Sequence, residues 1–292
     1  MKLIHFQGLN CYHDCMITLA NAFGLDYTAA FSKLWAEGHL RYDPICDVFL
    51  SRKIQETLES MGMELDAPLT EEAVREMKWA DTPAGDYAII GMDACFIPWS
   101  PLHQLLHGPH YFIVQKGRAE QHECFDPTYG LSCQRLATQD LIPNAFALIT
   151  VKTCHTCALT IDSTLDPLYT QSQEVLRFHP GTLRHFLEQA AVWMKGEEKR
   201  TLLPAKYVDT MLAGRHLYRH FLSGQYKAAK RAPLFFSHPF YEEWMAVKNG
   251  FYKAALTRQS RAVFDESCRL FAGLFEQELE LAEQISAAGS NY

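Results

Sequence analysis

The order in which the apolar periodicity changes along this chain constrains its fold more than any other feature of the sequence. Apolar residues recur three and four apart in the first 80 residues, as in CYHDCMITLANAFG at 11–24, a spacing typical of amphipathic helices. Between residues 86 and 153 the pattern changes to apolar runs of strand length, separated by Gly, Pro and Asp. Helices followed by strands, without alternation, indicate an α+β fold with an antiparallel sheet and not a doubly wound α/β fold.

The same patterns predict the individual elements. The first part of the chain predicts a short strand at 3–6, helices at 11–24, 28–38 and 54–63, and a helix that Thr70 caps and that ends at Trp79. The apolar runs predict strands at 86–97, 110–117, 121–126 and 145–153. The helical period returns after about residue 160 and predicts four amphipathic helices, with a segment rich in Pro, Asp and Ser at 162–173 as the linker into them. We therefore expect two domains, a mixed domain at 1–158 and an all-helical domain at 159–292.

The composition argues against several classes of protein. A chain with 48% hydrophobic and 21% charged residues has the composition of a folded protein. Its net charge of −7 offers no basic surface for nucleic acid or for an anionic membrane. No apolar stretch reaches the roughly 18 residues of a membrane span, and the N-terminal residues soon turn polar. We therefore expect a cytoplasmic protein, neither secreted nor membrane-spanning, whose nine cysteines are reduced thiols.

Three residues have the types and the placement that thiol catalysis requires. Cys11 lies at the start of a predicted helix, where the helix N-terminus favours a thiolate. His110 opens the apolar strand HYFIVQKG, and Asp126 follows one hairpin later in CFDPTYG. On adjacent antiparallel strands the two can be neighbours, so that the carboxylate orients the imidazole and leaves its other nitrogen for a thiol.

These segments resemble a known family. A Cys at a helix N-terminus, then a strand opened by His, then Asp-Pro with a following Gly, is similar to the papain-like fold of the bacteriocin-processing peptidases. The segments NCYHDCMITLANAFGLDYTAAFSKLW, DACFIPW, HYFIV and FDPTYG resemble more closely the N-terminal domain of the butirosin biosynthesis protein H-like family, over about residues 5–153. The resemblance implies Cys11 as the nucleophile, His110 as the general base and Asp126 as its orienting partner. It also implies acyl transfer in natural-product biosynthesis of the nonribosomal peptide or polyketide type.

The sequence departs from the papain-like pattern in two places. The oxyanion-hole Gln of such enzymes lies six residues before the Cys, whereas Gln7 lies four before Cys11 and eight before Cys15. The oxyanion donor is therefore left open between Gln7, Asn10 and the backbone N–H of Cys11. The pair Asp14-Cys15 resembles the Asp-Cys of the processing peptidases and competes for the nucleophile role. We favour Cys11, because Cys15 lies one turn into the helix and should point into the core.

The remaining candidates have simpler interpretations. His107 is an alternative base, although its loop favours a surface or substrate contact, and Asp93 suits a structural hydrogen bond as well as a substrate contact. The segment Cys154-His155-Thr156-Cys157 has the spacing of a thiol redox pair or of half a zinc site, but no second such pair accompanies it. Large aromatic residues of the C-terminal helices are more typical of a core than of a ligand site. They are Trp193, Tyr218, Phe221 and Trp244.

The function expected from these residues is a ping-pong acyl transfer without a metal or organic cofactor. The donor would be a thioester of an acyl or peptidyl carrier protein or of coenzyme A, and the acceptor a small-molecule or peptidyl amine or alcohol. Two alternatives stay open: a cysteine peptidase, amidase or thioester hydrolase of the same fold, and a non-catalytic binding module, which the Gln7 spacing favours. The C-terminal helices would cover the cleft, dock the donor or form a homodimer interface.

Overall fold

The structure is a computed structural model that describes residues 1–153, 166–225, 227–257 and 260–289. It is a mixed α+β protein with an antiparallel sheet and a helical C-terminal region. Two compact units are distinguished among these residues. The first contains Met1–Tyr27, Pro44–Asp47 and the chain from Gln55 through the sheet; the second contains Thr28–Asp43, Val48–Ile54 and the C-terminal helices.

The elements are numbered in chain order. The α-helices are α1 (Cys11–Ala22), α2 (Arg52–Ser60), α3 (Glu72–Asp81), α4 (Thr138–Leu141), α5 (Pro167–Trp193), α6 (Glu198–Thr201), α7 (Leu203–Ser223), α8 (Ala228–Arg231), α9 (His238–Leu256) and α10 (Arg261–Gly289). The strands are β1 (Arg41–Asp43), β2 (Val48–Leu50), β3 (Met63–Leu65), β4 (Tyr87–Asp93), β5 (Pro109–Gln115), β6 (Gln121–Asp126), β7 (Leu131–Ala137) and β8 (Ala145–Thr153). Short 3₁₀ helices span Tyr27–Phe31, Ala94–Phe96 and Pro233–Phe236.

A six-stranded antiparallel sheet forms the centre of the first unit, in the order β3-β8-β4-β5-β6-β7, while β1 and β2 pair separately. The central strands β4 and β5 are covered on both faces, which explains their continuous apolar runs. One face, which includes Phe112 and Val114, packs in a core with Trp79 of α3. On the other face Tyr111 packs against Tyr12 of α1, with ring centroids 5.3 Å apart. The N-terminus of α1 and the beginning of β5 therefore lie side by side.

The N-terminal part of the chain differs from the predicted elements. The strand predicted at 3–6 does not form, because Ile4 exchanges its backbone hydrogen bonds with the hydroxyl of Thr18, at 3.0 and 3.1 Å. The helix predicted at 28–38 is only the 3₁₀ helix Tyr27–Phe31. Residues 34–38 are buried in succession, and the Ala36 amide donates to the side chain of Gln171 instead of to a helical carbonyl. The strands β1, β2, β3 and β7 were not predicted from the sequence.

Several predicted boundaries also shift. Helix α2 ends at Ser60, since Gly62 has a φ of +98° and turns the chain into β3. The helix predicted after Thr70 has Glu71 at its N-cap, without a capping hydrogen bond from that side chain. Residues 167–173 of the predicted linker belong to α5, which Asp166 caps by accepting from the Leu168 amide. The predicted domain boundary at 158/159 lies outside the described residues.

The second unit has a core of packed helices. Among its described residues Tyr218 and Trp244 are fully buried, as core residues are. The Arg215 guanidinium donates two hydrogen bonds to Glu278, at 2.9 and 2.8 Å, and His179 lies 2.7 Å from the same carboxylate. This network links α5, α7 and α10. Within the described parts of the chain, every helix is too short or too polar to cross a bilayer.

Candidate active site

Cys11 is the first residue of α1, and its sulfur lies beside the beginning of β5. Asn10 caps the helix in an extended conformation, and its side-chain oxygen accepts from the His13 amide at 2.9 Å. The Cys11 thiol is half-buried, and its Sγ accepts a hydrogen bond from the Tyr111 amide at 3.4 Å. A helix N-terminus and a backbone N–H donor are the surroundings in which reactive cysteines are found.

His110 and Asp126 meet in the fold, as the strand pattern predicted. His110 is the second residue of β5 and Asp126 the last of β6, the strand beside it; His110 Nε2 lies 2.8 Å from Asp126 Oδ2. A further side-chain hydrogen bond joins His110 to Cys11. Because Nε2 faces the carboxylate, Nδ1 is the nitrogen left for the thiol. The three side chains thus form one hydrogen-bonded series.

The electrostatics of this series favour the protonated imidazole. Burial lowers the pKa of His110, but hydrogen bonds with Asp126 and Cys11 and the negative charges on both groups raise it more. The resulting pKa of His110 is about 9. At neutral pH the ring is therefore an imidazolium, which is the form that pairs with a thiolate.

The Asp126 side chain is contacted by three polar groups. Its side chain is fully buried, and the Trp99 indole N–H donates to Oδ2 at 2.9 Å while the Tyr129 amide donates to Oδ1 at 3.2 Å. Tyr129 also stacks on the His110 ring, with centroids 4.7 Å apart and planes 17° from parallel. The carboxylate and the imidazole are therefore fixed in position and in orientation. Trp99 and Tyr129 lie in the segments DACFIPW and FDPTYG, but neither was predicted to be a site residue.

Local irregularities in the strands place these side chains. Cys124 pairs with Gln134 and Asp126 with Leu131, so Phe125 faces two residues of β7 and the strand bulges. Cys133, in the bulge, has a φ of +61°, within the left-handed region. In β4, a Cβ on Gly91 would lie 2.4 Å from the Phe146 ring and 2.7 Å from the Tyr111 ring. Glycine at this position allows Tyr111 to pack closely, beside the sulfur to which its amide donates.

Cys15, the other thiol of α1, has surroundings different from those of Cys11. It lies one turn after Cys11 and is completely buried. Burial, followed by the charges of Cys11, Asp126 and Asp14, raises the pKa of the Cys15 thiol well above its ordinary value. A buried neutral thiol is a core residue. Whether Cys11 or Cys15 is the nucleophile stays a prediction.

The three candidate oxyanion donors differ in whether their N–H groups can donate to an oxyanion near Cys11. Gln7 is exposed in the turn Phe6–Leu9, in which Gly8 has a φ of +93°. The Asn10 side chain contacts His13 through both of its polar atoms, since Nδ2 lies 3.0 Å from the ring Nδ1. The Cys11 amide is at the first helical position, where an N–H has no acceptor within the helix. Of the three, the Cys11 amide is the donor that lies nearest the sulfur and is free to act.

A second His–Asp pair lies at the same end of the sheet. His107 Nδ1 is 2.7 Å from Asp93 Oδ2, and Asp93 Oδ1 accepts from the amides of Cys95 and Gly108 at 3.0 and 3.1 Å. Partial burial raises the pKa of Asp93, but these hydrogen bonds lower it more. The His107 side chain is 75% exposed. Asp93 therefore has at least a structural role, as the cap of the 3₁₀ helix Ala94–Phe96.

The segment 154–157, whose Cys spacing is that of half a zinc site, lies outside the described residues. Among the residues that are described, no three His, Cys, Asp or Glu side chains are grouped so as to hold a metal ion.

No family model matches the chain, and no curated protein matches it. Among solved structures, the chain is similar to the peptidase domain of Streptococcus ComA, a bi-functional ABC transporter involved in a quorum sensing pathway. The two are 14% identical, with a TM-score of 0.35, over 52% of this chain and 98% of that domain.

Proposed function

We propose that this chain is a cysteine-dependent acyl-transfer enzyme with a papain-like N-terminal half, in which Cys11 is the nucleophile, His110 the general acid and base, and Asp126 the orienting carboxylate. One observation carries the proposal: the hydrogen-bonded series from Cys11 through His110 to Asp126, at the N-terminus of a helix. A buried His with a pKa of about 9 between a thiol and a buried carboxylate is costly for a purely structural role.

In the first half-reaction the Cys11 thiolate attacks the carbonyl carbon of a thioester donor. A C–S bond to Cys11 forms, the bond to the donor sulfur breaks, and His110 gives its proton to the departing thiolate. The tetrahedral oxyanion formed on the way is within reach of the Cys11 amide. The products are an acyl-Cys11 enzyme, a free thiol and a neutral His110.

In the second half-reaction an amine acceptor attacks the acyl-Cys11 carbonyl. Neutral His110 takes the proton from the amine nitrogen, the C–N bond forms, and the C–S bond to Cys11 breaks to restore the thiolate–imidazolium pair. Asp126 keeps the ring oriented through both steps and stabilises its protonated form. Water in place of the amine would make the same site a hydrolase.

The choice of transfer over hydrolysis rests on the sequence resemblance to the butirosin biosynthesis protein H-like family. That resemblance favours a carrier-protein or coenzyme A thioester as donor and an amine as acceptor, in natural-product assembly. The same residues would serve a peptidase or amidase, so the donor and the acceptor are the points to test.

The test is intact-mass analysis of the full chain after incubation with acetyl, hexanoyl and aminoacyl thioesters of N-acetylcysteamine and with an acylated carrier protein. We expect the mass of one acyl group on the wild type and on Cys15→Ala, and none on Cys11→Ala. Addition of a panel of amines should then release the acyl group as an amide faster than water releases it as an acid.

Three results would contradict parts of this proposal. An adduct that survives in Cys11→Ala and disappears in Cys15→Ala would move the nucleophile one turn along the helix. Release as free acid alone, with every amine tested, would make the protein a hydrolase. No adduct with any donor, together with slow alkylation of Cys11 by iodoacetamide at neutral pH, would refute catalysis and favour a binding module.

A further inference from the structure

Asp14 is a buried carboxyl group for which the acyl-transfer steps have no use. It lies in the first turn of α1, three residues after Cys11, and is completely inaccessible to solvent. One oxygen, Oδ1, is buried without a hydrogen-bond partner in the described structure. Burying a carboxyl group in this way is unfavourable unless its contacts compensate for the lost hydration. The contacts of Asp14 therefore indicate its role.

The other oxygen of Asp14 joins the helix to the turn that follows β6. The Thr128 hydroxyl donates to Oδ2 at 2.9 Å, and His5 Nδ1 lies 2.8 Å from the same atom. Thr128 belongs to the turn between Asp126 and Gly130, which a hydrogen bond from the Gly130 amide to the Pro127 carbonyl closes at 3.2 Å. The hydrogen bond from Thr128 thus ties this turn to α1.

That turn carries the groups that orient the imidazole. Asp126 lies two residues before Thr128, and Tyr129, which stacks on His110 and donates its amide to Asp126, lies one residue after it. Cys11 lies on the other side of the hydrogen bond, one helical turn from Asp14. The contact therefore connects the element that bears the thiol with the element that bears its acid–base partners.

We propose that Asp14 is a positioning residue, which fixes the turn Asp126–Gly130 against α1 through Thr128 and so keeps the His110–Asp126 pair within hydrogen-bonding distance of Cys11. The inference rests on the proposed function, because it assigns Asp14 a role in that site. It also gives the Asp-Cys pair of the sequence a different meaning: Asp14 acts through Thr128, and Cys15 is its buried neighbour.

The electrostatics are compatible with this role. A carboxylate in the first turn opposes a thiolate at Cys11, since like charges repel. Burial raises the pKa of Asp14, and the hydrogen bonds from His5 and Thr128 lower it less, so its negative charge is disfavoured beside the thiol. The titratable groups that interact with Asp14 are His5 from the N-terminal segment and Cys15 from its own helix, and Cys11 and Asp126 act on the same Cys15 thiol.

The test compares two substitutions that each remove one hydrogen bond from the same oxygen of Asp14. Thr128→Val removes the bond to the turn, whereas His5→Ala removes the bond to the N-terminal segment and leaves the turn in place. The rate of Cys11 alkylation by iodoacetamide, followed by intact mass, is measured from pH 5 to pH 10. Thr128→Ser keeps the hydroxyl and serves as the conservative variant, and Thr128→Ala removes it should the valine variant not fold.

We expect Thr128→Val to slow alkylation about tenfold at pH 7 and to approach the wild type at high pH, because the turn that carries Asp126 and Tyr129 loses its hydrogen bond to α1. His5→Ala and Thr128→Ser both keep the hydrogen bond between residue 128 and Asp14. Their alkylation rates should therefore stay within about twofold of the wild type at every pH. A profile of Thr128→Val or Thr128→Ala that superimposes on the wild type overturns the proposal, as does an equal shift in His5→Ala. Slow alkylation of the wild type itself at neutral pH would instead refute the proposed function.

Discussion

Replacement of Asp126 by Asn tests the candidate triad through the partners that surround this side chain. All three groups that contact the carboxylate are hydrogen-bond donors: the His110 ring, the Trp99 indole and the Tyr129 amide. An amide in either orientation directs its NH2 group at one or two of them. Because the site is fully buried, such a donor keeps no alternative acceptor, which costs about 1–3 kcal/mol of stability.

The larger effect falls on the thiolate–imidazolium pair. The charge and hydrogen bond of Asp126 help to raise the pKa of His110 to about 9 against the effect of burial. A neighbouring carboxylate shifts the pKa of its partner by about 1–3 units, and each unit changes the equilibrium for proton transfer from thiol to imidazole tenfold. Asp126→Asn should therefore slow the alkylation of Cys11 at pH 7 by at least about tenfold, with less effect at high pH.

The assay is the pH dependence of Cys11 alkylation by iodoacetamide, read by intact mass. Asp93→Asn is the matched control, because Asp93 is also bonded to a His at the same end of the sheet, at 2.7 Å, but outside the hydrogen-bonded series that reaches Cys11. That variant should keep the wild-type profile. If Asp126→Asn alkylates as fast as the wild type at pH 7, Asp126 does not support the ion pair and the reasoning fails.

Two further substitutions test other parts of the structure. Cys15→Ala should leave the alkylation rate of Cys11 unchanged and lower the free energy of unfolding by about 1–2 kcal/mol, as measured in urea, because a buried thiol acts as a core residue; loss of alkylation would contradict this. Glu278→Gln leaves buried Arg215 without its charge partner and should cost about 3–5 kcal/mol. Burial raises the pKa of Glu278, but Arg215 and His179 lower it more, to below its ordinary value. The stabilisation is therefore present above about pH 4.5 and lost as the pH falls through the lowered value. The variant should show a weaker loss of stability in acid, and an equal acid dependence would refute this assignment.

How far the sequence predicts this fold depends on how strongly each segment is buried. Strands β6 and β8 match their predicted ranges, and β5 differs by two residues at most, because apolar runs flanked by turn residues can hardly form anything else. Strand β7 escaped prediction because it is a largely exposed edge strand, whose sequence LSCQRLA has no apolar run. The helix predicted at 28–38 was wrong for the opposite reason, since residues 34–38 are buried in succession and have no amphipathic pattern.

Some features of the candidate site could be predicted from local sequence patterns, whereas others depend on tertiary packing. The start of α1 at Cys11 and the pairing of β5 with β6 follow from local patterns, so the three proposed catalytic residues could be chosen from the sequence. The hydrogen bond between Thr128 and Asp14 joins residues 114 positions apart, and that between Trp99 and Asp126 joins residues 27 apart. Contacts of this kind depend on how the helix and loops pack against the sheet, which no local pattern encodes.

The choice between the two thiols of α1 follows from helix geometry as well as from resemblance. Residues four apart lie on the same side of a helix, so Cys11 and Cys15 differ in depth more than in direction. The field of a helix N-terminus falls off within the first turn, and from the fifth residue on each amide donates to a carbonyl of the helix itself. A residue at the first helical position has two advantages for thiol catalysis. Its sulfur lies within the field of the helix N-terminus, and its amide has no acceptor in the helix and can stabilise an oxyanion. The unusual spacing of Gln7 then matters less, because an enzyme built on Cys11 already has one backbone donor at the sulfur.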